Sequence, residues 1–271
     1  MKISSTGNAE KMRAMRLTEG KLDVKVLGEV KGPFVGLDHQ VFLITTSKGR
    51  VVFRQPVKGF GTQKLKAHVW ALKQWHELGV PVPRQLAQGN DYAIEEHARG
   101  WQAKMFLKNS LQQLGKILKV MHSVKTKGYG FINSRGRGKT RSWHDFIANR
   151  FSSNLQKCGK RGLITQRTAS QALKEYQANR GYLEEFNDPR LVHADLVGEN
   201  VFMRPGRISS IIDAGDCISG DPLYDIGYHN ALTQDPLEID EIEKTYGTVK
   251  VLHRSALGLE PRYRPVASRA Y

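Results

Sequence analysis

The chain has 271 residues, 39% of them apolar, and carries 42 Lys and Arg against 26 Asp and Glu, a formal charge of +16. That apolar content excludes wholesale disorder, and no uncharged apolar run approaches the roughly 18 residues of a membrane span. Two cysteines without a CxxC pair exclude a disulfide framework and a thiolate zinc site. The opening MKISSTGNAEKMRAMR lacks the apolar stretch of a secretory signal, so a cytoplasmic protein with no membrane partner is expected.

Residues 1–18 are polar and basic with weak helical character, and read as a flexible, frayed tail or a short helix. Residues 22–30 (LDVKVLGEV) alternate apolar and polar side chains, the period-two pattern of a strand. Residues 41–56 (VFLITTSKGRVVFRQP) hold two β-rich runs around Ser47-Lys48-Gly49-Arg50, a hairpin ended by Pro56. Over 62–78 the spacing turns helical, with Leu65, Val69, Leu72 and Trp75 or Leu78 on one face. Gly79 caps this helix, and Pro81 and Pro83 stop it. Short strands are expected at 84–88 and 92–95.

The remainder is mostly helical. A helix over 109–123 starts at an Asn109 or Ser110 cap and carries Leu111, Leu114, Ile117, Leu118 and Met121 on its apolar face. A Gly- and base-rich loop occupies 124–142, followed by helices at 143–151 and 165–186. Strand signals return at 191–192, 201–203 and 208–212, one clear helix lies near 239–246, and the terminal EPRYRPVASRAY is irregular. The plan is α+β and two-lobed: a small β-rich N-terminal lobe with one main helix (1–96) and a larger, mainly helical lobe (97–271).

A strongly basic chain first suggests a nucleic-acid or anionic partner. The charge is not uniform, however. No acid lies between Asp38 and Glu77, where there are seven bases, or between Glu96 and Asp145, where there are eleven. Residues 184–243 reverse the sign with fourteen acids and three bases, net −11, which leaves +27 for the rest. A simple nucleic-acid binder has no need of a dense acidic block, whereas a site that holds a divalent cation and activates a hydroxyl does.

Inside that block, LVHADLVGENVFMRPGRISSIIDAGDCISGDPLYDIG presents His193-Ala194-Asp195, then Asn200 five residues on, then a hairpin that delivers Asp213. An amide oxygen and a carboxylate on adjacent strands make a hard-oxygen pair suited to Mg²⁺, which completes its shell with water and phosphate oxygens. Asp195, on the loop before them, is placed to orient and deprotonate a hydroxyl.

This segment resembles the HxDxxxxN loop and following metal aspartate of the aminoglycoside phosphotransferase/choline kinase-like family, relatives of the protein kinases. VGLDHQVFLITTSKGRVVFRQP resembles that family's nucleotide loop with its second and third strands, as in the macrolide and hygromycin branches. GVPVP, YAIEEHARG, GKILKVMHSV and GDPLYDIG resemble its lobe marker, hinge, LxxLH helix and closing motif, so the likeness spans roughly residues 28–230. It implies a protein-kinase-like fold and an enzyme that moves the γ-phosphate of ATP or GTP to a hydroxyl of a small molecule, an antibiotic-type, sugar or amino-alcohol acceptor.

By the same resemblance Asp195 is the base, Asn200 and Asp213 are the Mg²⁺ ligands, and His193 and Asp225 hold the loop. Arg54 serves the α- and β-phosphates, and Glu95 to His97 meet the purine with their backbone. One departure stands out. Where the family has a helix Glu that pairs with the phosphate-binding base, this chain has His68. A neutral His68 can hydrogen-bond Arg54, and a protonated one repels it. The C-terminal part after Gly227 is also short, which leaves the acceptor pocket open or shaped by the basic 124–142 loop.

Other features read as bland. Gly138-Lys139-Thr140 mimics the end of a Walker loop but has Asn133 where that loop needs glycine. Cys217 reads as an inert small side chain, His122 as a packing or capping group, and Trp143 as a helix anchor. Asp216 is either a ligand of a second ion or substrate amine, or a solvated turn acid, and Glu199 adjoins the metal pair. Two rival readings follow. His68 motivates a catalytically weak pseudokinase or nucleotide-binding module, and the basic charge leaves open a kinase-fold protein associated with RNA, which no stacking-aromatic motif supports.

Overall fold

The computed structural model describes residues 5–36, 38–57, 61–103 and 106–247. Helix α1 (Ser5–Leu22) precedes a five-stranded antiparallel sheet of β1 (Lys31–Val35), β2 (His39–Thr46), β3 (Gly49–Pro56), β4 (Gln85–Gln88) and β5 (Ala93–Glu96), ordered β1-β2-β3-β5-β4. Helix α2 (Thr62–Glu77) lies between β3 and β4. β2 and β3 pair without a break from His39 opposite Pro56 to Thr46 opposite Gly49, around a turn at Ser47-Lys48. Gly49 takes φ 122° there, a conformation open to glycine at little cost. Alternation puts Phe42 and Ile44 of β2 and Val51 and Phe53 of β3 on one buried face, with Ile94 of β5.

For this lobe one open expectation is resolved and one fails. Of the tail or short helix expected at the N-terminus, the structure has a helix, over Ser5–Leu22, with Ala14 and Thr18 fully buried. Only a narrow stripe of it, including Ala14, Met15 and Leu17, meets the sheet, so its composition stays polar. The 22–30 stretch is not a strand. It makes a single bridge, Val26 to Thr46, and Gly28 at φ 77° turns the chain before β1 begins at Lys31.

α2 buries Leu65, Ala67, His68, Ala71, Leu72 and Trp75, while Val69 is half-buried and Leu78 is 47% exposed. The small Ala67 and Ala71 widen the buried face, because α2 packs toward the larger lobe as well as the sheet. Leu72 and Trp75 share a core with Leu111, Leu114, Leu118 and Met121 of α3 (Lys108–Met121), and Trp75 Nε1 donates to the Met121 carbonyl at 3.2 Å. Burying each of these leucines contributes about 1.5–3 kcal/mol. α3 starts at Leu107 without a side-chain cap, in place of the expected Asn or Ser.

The larger lobe continues with β6 (Trp101–Gln102), β7 (Gly130–Phe131), α4 (Trp143–Lys160), α5 (Gln166–Ala178), α6 (Arg180–Glu185), β8 (Arg190–Val192), β9 (Val201–Arg204), β10 (Arg207–Ile211), β11 (Ile218–Gly220), α7 (Leu223–Thr233) and α8 (Pro236–Tyr246). Its strands form two small sheets, β10-β9-β6 and β7-β11-β8. α4 runs on to Lys160, past the expected end at 151, and the expected 165–186 helix divides at Asn179. α7 was not expected: GDPLYDIG stood only as a resemblance to a closing motif, with no helix assigned to it. The terminal EPRYRPVASRAY lies outside the described residues. No helix among the described residues is long and apolar enough to cross a membrane.

Gly115 marks how closely α3 and α8 approach. A Cβ there would stand 2.3 Å from the Ile242 carbonyl oxygen. Alanine offers about 1 kcal/mol of helix propensity, but overpacking against backbone costs about 1–3 kcal/mol. Gly115→Ala is expected to lower the unfolding free energy by about 1–2 kcal/mol. An unchanged or raised urea midpoint would contradict this packing.

Candidate functional site

The loop after β8 is built from a buried carboxylate outward. Asp225, fully buried on α7, accepts the His193 N–H at 2.9 Å, the Ala194 N–H at 2.7 Å and His122 Nε2 at 3.0 Å. Burial alone would raise its pKa, but the hydrogen bond and charge of His122, with the loop's own donors, hold the carboxyl below its usual range. The contact is needed because Ala194 sits at φ 65°, a left-handed conformation that costs a non-glycine residue energy. His122, which reads as a capping group from sequence, is thus tied to this loop. Asp225→Asn replaces one acceptor oxygen by a donor facing donors, and is expected to cost about 1–3 kcal/mol in chemical denaturation. Loss of stability below ~0.5 kcal/mol would deny Asp225 this role.

His193 is fully buried and stacks on Trp75 of α2, with ring centroids 5.7 Å apart. Its Nε2 donates to the Ile212 carbonyl at 2.9 Å, and its Nδ1 accepts the Asp195 N–H at 3.4 Å. One ring therefore links the 193–195 loop to the backbone just before Asp213. Asn200 Nδ2 donates to the Asp195 carbonyl at 2.8 Å and to Asp195 Oδ2 at 3.1 Å, and the Tyr228 hydroxyl donates to Asp195 Oδ1 at 3.4 Å. Burial raises the Asp195 pKa from 3.8 to about 6. His193 opposes that shift, while the negative charges of Asp213 and Asp216 reinforce it.

The β9–β10 hairpin turns at Pro205-Gly206 and returns the chain beside Asn200, whose carbonyl accepts the Ile212 N–H at 2.9 Å. Asp213 follows at φ 64°, a second left-handed non-glycine residue at the site. Its Oδ1 accepts Arg54 Nη1 of β3 at 3.3 Å, so the two lobes meet across this ion pair. Arg54 Nη2 reaches Glu95 Oε1 at 3.3 Å, and His68 Nε2 reaches Glu95 Oε2 at 2.7 Å. The carboxylate that the helix lacks is delivered by β5. His68 does not reach Arg54 as the sequence suggested; both hold Glu95. Burial works against the ionised Glu95, yet His68 and Arg54 pull its pKa from 4.5 to about 2.

The expected purine-facing backbone at 95–97 is partly committed elsewhere. Glu95 sits inside β5 with its side chain turned to Arg54. The Glu96 N–H donates to the Arg84 carbonyl at 3.0 Å, and the His97 N–H donates to the Arg50 carbonyl at 3.4 Å. Half-buried His97 opens the connector between the lobes, and burial with the nearby Arg50 and Arg99 lowers its pKa.

The pair Asn200 and Asp213 fits a hard divalent cation. Asn200 spends its amide nitrogen on Asp195, which leaves Oδ1 as the free pole of a buried side chain, and Asp213 adds carboxylate oxygen. No group of three or more His, Cys, Asp or Glu among the described residues can hold an ion alone, so phosphate oxygens and water must complete such a shell. Lys64 of α2 was missed. It pairs with Asp38 at 2.6 Å and with Asp216 at 2.7 Å, so Asp216, its side chain still 42% exposed, is tied to α2 through Oδ1. Nothing in its spacing signals this. Tyr228 was also missed, although its place one helical turn after Asp225 puts both on one face of α7. Cys217 is buried and its thiol is pushed well above its usual pKa by that burial, as suits an inert side chain.

The sequence over residues 30–259 matches the model of the family described as the phosphotransferase enzyme family, APH. Among curated proteins none matches. Among solved structures, a thermostable mutant of aminoglycoside phosphotransferase APH(4)-Ia, in ternary complex with ADP and hygromycin B, is similar at TM-score 0.64 and 18% identity, covering 86% of this chain and 81% of that one. A macrolide 2'-phosphotransferase type I gives TM-score 0.67 and 16% identity over 94% of this chain and 87% of its own. A putative fructosamine-3-kinase from Thermobifida fusca gives 0.65 and 19% over 86% and 82%. These likenesses establish the bilobal, protein-kinase-like fold.

Proposed function

The chain belongs to the phosphotransferase enzyme family, and from that premise we propose that it moves the γ-phosphoryl group of ATP or GTP to a hydroxyl of a small molecule, with Asp195 as the base. The observation that carries this reading is the convergence of two pairs between the lobes, Asn200 bonded to Asp195 at 2.8 and 3.1 Å and Arg54 bonded to Asp213 at 3.3 Å. The acceptor oxygen attacks the γ-phosphorus, the bond from that phosphorus to the β–γ bridging oxygen breaks, and the nucleoside diphosphate leaves with the electron pair. The acceptor's proton passes to Asp195. Asn200 and Asp213 would hold Mg²⁺, which neutralises phosphate charge when bound. Arg54 faces the α- and β-phosphates, and purine recognition falls to the connector at and beyond His97. Positioning supplies most of the acceleration.

Neighbours that hold ADP or AMP-PNP together with hygromycin B support a nucleotide and a polyhydroxylated small molecule as partners here. The pseudokinase reading rested on the missing helix carboxylate, and Glu95 fills that role, so the geometry favours turnover. Incubation with ATP, Mg²⁺ and a panel of hydroxyl compounds, read by product mass, tests the proposal. A product heavier by one phosphoryl group is expected; nucleotide binding without any such product across the panel would contradict it.

A further inference from the structure

The wall beside Asp195 is cationic and aromatic. Tyr228, which donates to Asp195, stacks on Tyr224 at 6.4 Å, and Tyr224 is hydrogen-bonded to Arg150 of α4. The Arg150 guanidinium is half-buried and lies 5.0 Å from the Phe131 ring and 5.6 Å from the Phe146 ring. Phe131 belongs to the basic 124–142 loop, and its ring also faces Lys64 Nζ at 6.0 Å. Two stacked tyrosine rings therefore separate Arg150 from Asp195 along one surface.

Arg150 also heads a cleft of about 310 Å³ walled by Phe146, Asn149, Asn154, Lys157 and Thr140. Lys157 stands seven residues after Arg150, two helical turns along the same face of α4. No carboxylate lines this cleft, and among the described residues neither Arg150 nor Lys157 has an acidic partner. The nearest acid on the helix, Asp145, turns to His144 at 3.9 Å. Lys139 and Arg141, on either side of Thr140 in the chain, are exposed. A free lysine on a surface is ordinarily just solvated. An arginine seated against two rings that pack edge-on at 5.7 Å is different: its fork is supported on one side, and less entropy is lost when it takes a carboxylate or phosphate.

Resting on the phosphotransferase reading above, we propose that the acceptor is a hydroxyl compound that bears a carboxylate or phosphate group, with its anionic end on Arg150 and Lys157 and its hydroxyl toward Asp195. A polycationic acceptor is the opposite of what this wall attracts.

Four compounds on one disaccharide frame test this: cellobiose, cellobionate, a phosphorylated cellobiose and the corresponding diglucosamine. Binding to the ADP-loaded protein is read by saturation-transfer NMR, alongside ATP consumption. One or both anionic members are expected to bind about tenfold tighter than cellobiose or diglucosamine, and which of the two binds separates carboxylate from phosphate. Arg150→Gln is expected to remove that preference about tenfold and Lys157→Gln to weaken it less, with neutral cellobiose binding unaltered. Equal binding of all four, tighter diglucosamine, no binding of any, or a preference that survives Arg150→Gln would overturn the proposal. An Arg150-dependent anion preference without Asp195-dependent ATP turnover would overturn the phosphotransferase reading and leave the anion site standing.

Discussion

Replacing Asp195 by asparagine is expected to lower the transfer rate by about 10²–10⁴-fold while leaving the fold as stable as before, or more so. The amide is nearly isosteric but has no basicity, so the acceptor's proton loses its destination. The amide can keep both neighbours, its oxygen accepting from Asn200 Nδ2 and its nitrogen donating to the Tyr228 hydroxyl, which can accept as well as donate. Stability runs the other way. A carboxyl whose pKa rises from 3.8 to about 6 is one whose ionised form the fold disfavours. Its contribution turns unfavourable as pH climbs through that window, and removing the charge relieves it. Opposite movements of rate and melting temperature are what a group held for chemistry should show. A parallel fall in both would mark Asp195 as structural.

The second large effect belongs to Glu95. Its side chain is 3% exposed and that of Arg54 8%, so their ion pair with His68 is a buried one. Truncation by Glu95→Ala takes the buried carboxylate from both Arg54 and His68, and is expected to cost about 3–5 kcal/mol. Glu95→Gln keeps an oxygen for Arg54 and should cost less, about 1–3 kcal/mol. Because folding pulls the Glu95 pKa from 4.5 down to about 2, the ionised group's contribution is complete above about pH 4.5 and is lost as pH falls toward 2. Glu95→Gln should therefore flatten the acid side of the stability profile. Both variants should also raise KM for the nucleotide, Glu95→Ala more, since Arg54 loses its charged partner in both and its hydrogen-bond acceptor in the alanine variant. Urea unfolding at neutral and acid pH reads the first effect, and nucleotide titration the second. A loss under about 1 kcal/mol in Glu95→Ala would mean the triad behaves as an exposed pair.

Much of this site is legible in the sequence because its key residues are close together in the chain. Asp195, Asn200 and Asp213 lie within one loop and one hairpin, so strand alternation and the Pro205-Gly206 turn bring them together without long-range information. The β2–β3 hairpin and α2 follow from the same local signals. What stayed hidden depends on contacts between distant segments. Glu95 reads as a strand residue beside a hinge, and only the pairing of β3 with β5 sets it next to Arg54, 41 residues away. Lys64 and Asp216 meet because α2 packs on the turn after Asp213. α1 showed only as weak helical character, with a tail as the alternative, because its stripe of buried residues is narrow, and the 22–30 strand was over-read because Gly28 breaks an otherwise regular alternation.

Phosphate transfer at the site around Asp195 is read most directly by following the label from ATP. With γ-labelled ATP, Mg²⁺ and the hydroxyl panel, the wild-type protein is expected to place the label on a small-molecule product, and Asp195→Asn to leave it on the nucleotide. Label that stays on the nucleotide in both proteins, or moves equally in both, would contradict the account.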